Sequence, residues 1–125
     1  MSFMQYDLYL AAMKIGHVVH LDSDFPSLWG TITYPDSVAN PKTEEEIRFS
    51  RFLKLEQEDI RLIDVEHKED VTKERCAIEA QMQGYLDYIE TDDWYLIDEA
   101  GNKLAILCPV LRHDGEIVWR WNPSA

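Results

Sequence analysis

From Trp94 to Trp121 the chain alternates short runs of strand formers with turn residues: WYLID, then EAGN, then KLAILCPVL, then RHDG, then EIVWRW. Gly101 and the pair Asp114-Gly115 are the residue types that tight hairpin turns demand. Ile117, Trp119 and Trp121 alternate with Glu116, Val118 and Arg120, a period of two that collects the apolar side chains on one face. No other feature restricts the fold so narrowly. This third of the chain is expected to be a three-strand antiparallel meander whose apolar face needs a cover. Pro109 removes a ladder donor from its middle strand, so a bulge or a free edge is expected at residues 108–110.

The N-terminal third has the same character. YDLYLAAMKI and HVVHL are rich in strand formers and are expected to meet at Gly16, and LWGTITY follows the turn DSDFP as a third strand. The segment PDSVANP then reads as a loop.

Between these blocks the pattern turns helical. Thr43 followed by Glu44, Glu45 and Glu46 is a capping box, with a side-chain acceptor at the N-cap and negative charge where the helix dipole favours it, so a helix is expected to start at Glu44. Residues 59–67, DIRLIDVEH, fit a period of two as well as one of 3.6. A second helix is expected over residues 69–90, where Val71, Ile78, Met82, Tyr85, Leu86 and Ile89 fall on one stripe and Asp70, Lys73, Glu74 and Asp87 lie off it. Gly84 inside it costs about 1 kcal/mol relative to Ala and is read as a close crossing.

A chain of 125 residues can bury roughly two thirds of its unfolded surface without disulfides or metal. One domain over residues 1–125 is therefore expected: 1–41 strand-rich, 42–92 helical and acidic, 93–125 the meander. The fold class that follows is α+β, with the N- and C-terminal strands joined in one antiparallel sheet or partly open barrel and the central helical segment packed on one face.

Charge limits the partners. Twelve Lys and Arg against 24 Asp and Glu leave a net charge of −12, which repels phosphate backbones, and no compact basic patch offsets it; no nucleic-acid partner is expected. The apolar run near the N-terminus is interrupted by Asp7 and Lys14, and no stretch reaches the roughly eighteen apolar residues of a membrane span, so no membrane partner is expected and the location is read as cytoplasmic. Cys76 and Cys108 lack metal-site spacing and read as buried thiols of a reducing compartment.

One spacing suggests metal chemistry. His17, His20, Asp22 and Asp24 form H-x-x-H-x-D-x-D, a donor set acceptable to zinc or manganese. Strand alternation sends His17 to the opposite face, leaving His20, Asp22 and Asp24 as the convergent set with His17 in support. The competing reading is turn chemistry, in which aspartates bond their own backbone, and it is preferred here; no cofactor is expected. The D-x-D at the end of a hydrophobic strand also resembles the metal-holding motif of nucleotide-sugar transferases, but only 21 residues precede Asp22, too few for a nucleotide-binding half. His67 and His113 have no nucleophile at a telling distance in sequence, and Cys108 inside LAILCPVL reads as core.

The acid surplus is concentrated. Between Thr43 and Asp93 lie sixteen acidic and seven basic side chains, which is nine of the twelve net negative charges. A solvated helix face explains this, and so does a surface shaped for a basic protein partner. On the second reading the contact residues are Glu56, Glu58, Asp59, Asp64, Glu66, Glu69 and Asp70, with Trp94 and Trp121 as anchors, since four tryptophans exceed what so small a core needs. The expected function is a non-enzymatic, acidic protein-binding domain of inhibitor or immunity type. The alternatives are a metal-dependent protein built on His20, Asp22 and Asp24, and a structural homodimer using the edge near Pro109 or the aromatic face.

Overall fold

A computed structural model describes residues 3–123. Strands β1 (Gln5–Leu10), β2 (Met13–Asp24) and β3 (Ser27–Thr33) come first, followed by a one-turn helix α1 (Asp36–Ala39) within the segment read as loop. The first hairpin turns at Ala11 and Ala12, not at Gly16. Ala11 takes φ +53°, a conformation that its Cβ makes uncommon, and two long-range bonds hold it there: its N–H donates to the Asp93 carbonyl at 3.0 Å, and its carbonyl accepts from the Tyr95 hydroxyl at 2.8 Å.

Gly16 lies inside β2, opposite Leu8. A Cβ there would come within 2.8 Å of the Thr33 carbonyl oxygen and 2.9 Å of the Ile32 side chain. At Gly30 of β3 a Cβ would fall on the Val19 carbonyl. The two glycines let neighbouring strands press together where the sheet bends, aided by irregularities at Leu8/Tyr9 and His20/Asp22.

The capping box forms as read. Thr43 accepts from the Glu46 N–H, Glu46 reaches back to the Thr43 N–H, and α2 (Glu44–Val65) follows without interruption. The helix therefore claims residues 59–65, because this stretch packs on another helix and not in the sheet: Leu62 clusters with Val71 and Ile78, flanked by Leu55, Val65 and Met82. The second helix is shorter than its stripe predicted. It comprises α3 (Thr72–Met82), a 3-10 turn at Gln83–Tyr85, and a last turn α4 (Leu86–Ile89). A Cβ at Gly84 would meet nothing within 4 Å, so the glycine marks a break in the helix and not a crossing. The break swings Tyr88 into the core and leaves Leu86 36% exposed.

The C-terminal third also departs from the three-strand reading. Strand β4 (Trp94–Asp98) stands as expected and β7 (Glu116–Trp119) ends two residues short of EIVWRW, leaving Trp121 exposed and not on the buried face, while the middle run divides at Pro109 into β5 (Lys103–Ala105) and β6 (Val110–Leu111). These fall at opposite ends of a seven-stranded antiparallel open sheet of order β5-β4-β1-β2-β3-β7-β6. A fully buried proline with no N–H to donate ends one ladder and frees the chain to cross to the other. During that crossing the Leu107 N–H donates to the Arg120 carbonyl at 3.0 Å and the Asn122 N–H to the Ala105 carbonyl at 3.1 Å, so the two ends are drawn towards a barrel.

The concave side gathers Leu8, Leu10, Ile15, Val18, Leu96, Ile117 and Trp119, and α2 closes it with Phe49, Phe52 and Leu53. The result is the α+β arrangement expected, with the helical segment on one face. Among the described residues no helix is long and apolar enough to cross a membrane.

Candidate functional site

Arg48 organises the acidic side of the molecule. It projects from α2 and makes two 2.8 Å bonds to the Asp87 carboxylate and one of 2.7 Å to the Gly84 carbonyl, with its guanidinium 4.9 Å and 4.5 Å from the Tyr85 and Tyr88 ring centres. This clamp fastens residues 84–88 to α2. It holds the Asp87 carboxyl below its usual range and raises Arg48 further, and it commits that cation to one partner.

Beside the clamp lies a groove of about 620 Å³, bounded by the Ala11 turn, the start of α2 and the α4 segment. Leu10, Ala11, Met13, Leu86 and Tyr88 give it apolar surface, and every charged residue of its lining is acidic: Glu45, Asp87, Glu90 and Asp93. Among the described residues Glu45, Glu90 and Asp93 form no ion pair, whereas Asp87 is held by Arg48. A neighbouring depression of about 380 Å³ shares Met13 and Glu45 and continues over Lys14, whose ammonium is 3.4 Å from Asp7. The volumes are those of ordinary ligand clefts, and only the first is one-signed in charge.

The acids singled out in the sequence are placed differently. Glu58 pairs with Arg61, Asp59 with Arg75 at 3.1 Å, Glu66 with Arg75 at 3.3 Å, and Asp64 with Arg112 at 3.0 Å and His113 at 2.9 Å. Asp70 accepts from the Thr72 N–H at the start of α3. Glu69 stays exposed on the loop that follows α2. The carboxyl of Glu56 turns inward, one oxygen fully buried. Trp94 is fully buried and offers no surface, while Trp121 is 42% exposed.

The metal reading finds no convergence. His17 bonds Asp7 at 3.1 Å and Gln5 at 2.9 Å, while His20 Nε2 contacts the Asp22 carbonyl oxygen at 2.9 Å and the Ser23 hydroxyl at 2.8 Å. Among the described residues no three His, Cys, Asp or Glu side chains come together as a metal site. Nor is His20 a base for Ser23: a carbonyl oxygen only accepts, so Nε2 carries the proton and has no lone pair to offer. Burial pushes the Cys108 thiol up to about 12, with the Glu56 charge adding to it, which keeps it protonated and inert.

Sequence reasoning missed Glu45, Glu90 and Asp93. Glu45 was absorbed into the capping motif, and the other two lie in the connection between helix and strand, where only the tertiary turn at Ala11 makes them walls of a groove. Set against known protein families, curated proteins and solved structures, the chain matches none.

Proposed function

We propose that this is a non-enzymatic binding domain for a basic protein partner, received in the groove between the Ala11 turn, α2 and α4. One observation carries the reading: the groove combines apolar surface with four carboxylates and no basic lining residue. A lysine or arginine side chain suits such a place, laying its methylenes along Leu10, Met13 and Leu86 and its charge among Glu45, Glu90 and Asp93. The net charge of −12 would speed the encounter, as complementary fields do. Of the contact residues read from the sequence, Glu69 and Trp121 stay exposed, and neither lines this groove. Neutralisation of a basic toxin or nuclease is the setting this balance suits.

Capture from the native lysate tests the reading. Tagged wild-type protein should retain a basic protein at low salt and release it as salt rises. A variant carrying Glu45→Lys, Glu90→Lys and Asp93→Lys should retain none of it. Equal capture by the two would overturn the groove as the site. A concentration-independent dimer that captures nothing would favour the homodimer instead.

A further inference from the structure

Beneath the middle of α2 lies a polar cluster that the binding reading does not use. The Glu56 carboxyl faces the Leu111 backbone N–H of β6, while its Oε2 is fully buried and makes no hydrogen bond among the described residues. Tyr34, just after β3, brings a second fully buried oxygen with no hydrogen bond of good geometry; the nearby Gln57 amide offsets only part of that burial. The Cys108 thiol lies close enough to feel the charge of Glu56.

The charges around the cluster do not relieve it. Asp59, further along α2, adds a like charge, and among the described residues no cation pairs with Glu56. Arg75 is engaged by Asp59 and Glu66, and Arg112 by Asp64 and Asp114. An ionised Glu56 would thus bury a carboxylate whose Oε2 has no hydrogen bond, beside a second carboxylate, and the Leu111 N–H offsets only part of that desolvation cost. A neutral Glu56 gains an O–H donor and removes the charge. The residue keeps some exposure as a whole, and its carboxyl is the part turned inward.

We propose that Glu56 is a proton-operated latch: with its carboxyl neutral α2 seats on residues 108–111, and with the proton lost this part of α2 lifts from the sheet. Two buried, unsatisfied oxygens at a helix-sheet contact are the geometric basis. Burial pushes Glu56 up to about 8, so the change falls near neutral pH. Lifting also loosens the adjoining clasp in which Asp64 of α2 holds Arg112 and His113.

Carbon-detected NMR of protein labelled at glutamate carboxyls tests the latch in the intact chain. The expected result is one glutamate resonance titrating near pH 8 and missing from Glu56→Gln, with the amides of Cys108, Val110 and Leu111 shifting at the same midpoint in wild type alone. A Glu56 midpoint below pH 6 would overturn the proposal. So would a midpoint near 8 with those amides unmoved, since the proton would then operate nothing. If Glu56→Gln fails to fold, co-titration of that one carboxyl with those amides in wild type decides the matter.

Discussion

The indole N–H of Trp94 donates a 2.7 Å hydrogen bond to the backbone carbonyl of Tyr88, tying the first residue of β4 to the last turn of the helical segment. The ring is fully buried, 6.3 Å from Phe49, and so couples the sheet, α2 and α4. Trp94→Phe keeps much of the apolar volume and removes the donor, which leaves a buried carbonyl unpaired. A loss of about 1–3 kcal/mol is expected, read as a lower urea midpoint with the slope unchanged. An unchanged midpoint would show that the bond does not hold the two elements together.

Two glycines should respond in opposite directions. Gly30→Ala drives a methyl group into the Val19 carbonyl and should cost about 3 kcal/mol or more, seen in thermal unfolding or as failure to fold. Gly84→Ala meets nothing within 4 Å and stiffens a helical turn, so a gain of about 0.5–1 kcal/mol is expected. A loss at Gly84 would mean that the break between α3 and α4 needs the glycine.

Stability should depend on pH through Glu56. Its carboxyl is raised from 4.5 to about 8 on folding, so between those values the folded chain holds a proton that the unfolded chain has released. The contribution is most favourable below pH 4.5, falls as pH rises through the window, and levels off above about 8. The slope is at most roughly 1.4 kcal/mol per pH unit. Urea unfolding from pH 5 to 9 should show wild type losing ground steadily to Glu56→Gln. Parallel curves would remove Glu56 as the source.

The elements were legible where the signal was local. The capping box at Thr43 placed the start of α2 because both halves of the motif lie within four residues. The Ala11 turn was not legible, since the bonds that sustain it come from Asp93 and Tyr95 far along the chain, whereas Gly16 imitated a turn signal while serving a close backbone approach. The split at Pro109 was half visible: the proline announced an interruption, but nothing local said that the two halves would join opposite ends of the sheet. In the site, the acid surplus was plain and its distribution was not. Arg61 lies three residues from Glu58, but Arg75 and Arg112 reach Asp59 and Asp64 only through tertiary structure. Glu56 could have been found, because it continues the buried line of Phe49, Phe52 and Ile60 at helical spacing.

Binding of a basic partner through the acidic groove is measured by calorimetric titration of the captured partner. Wild type and the Glu45→Lys, Glu90→Lys, Asp93→Lys variant would be compared at low and moderate salt. Wild-type affinity should weaken steeply with salt, and the variant should lose at least a hundredfold at low salt, about 2.8 kcal/mol for three charges reversed at one contact. Equal affinities with equal salt dependence would contradict it and move the interface off this groove.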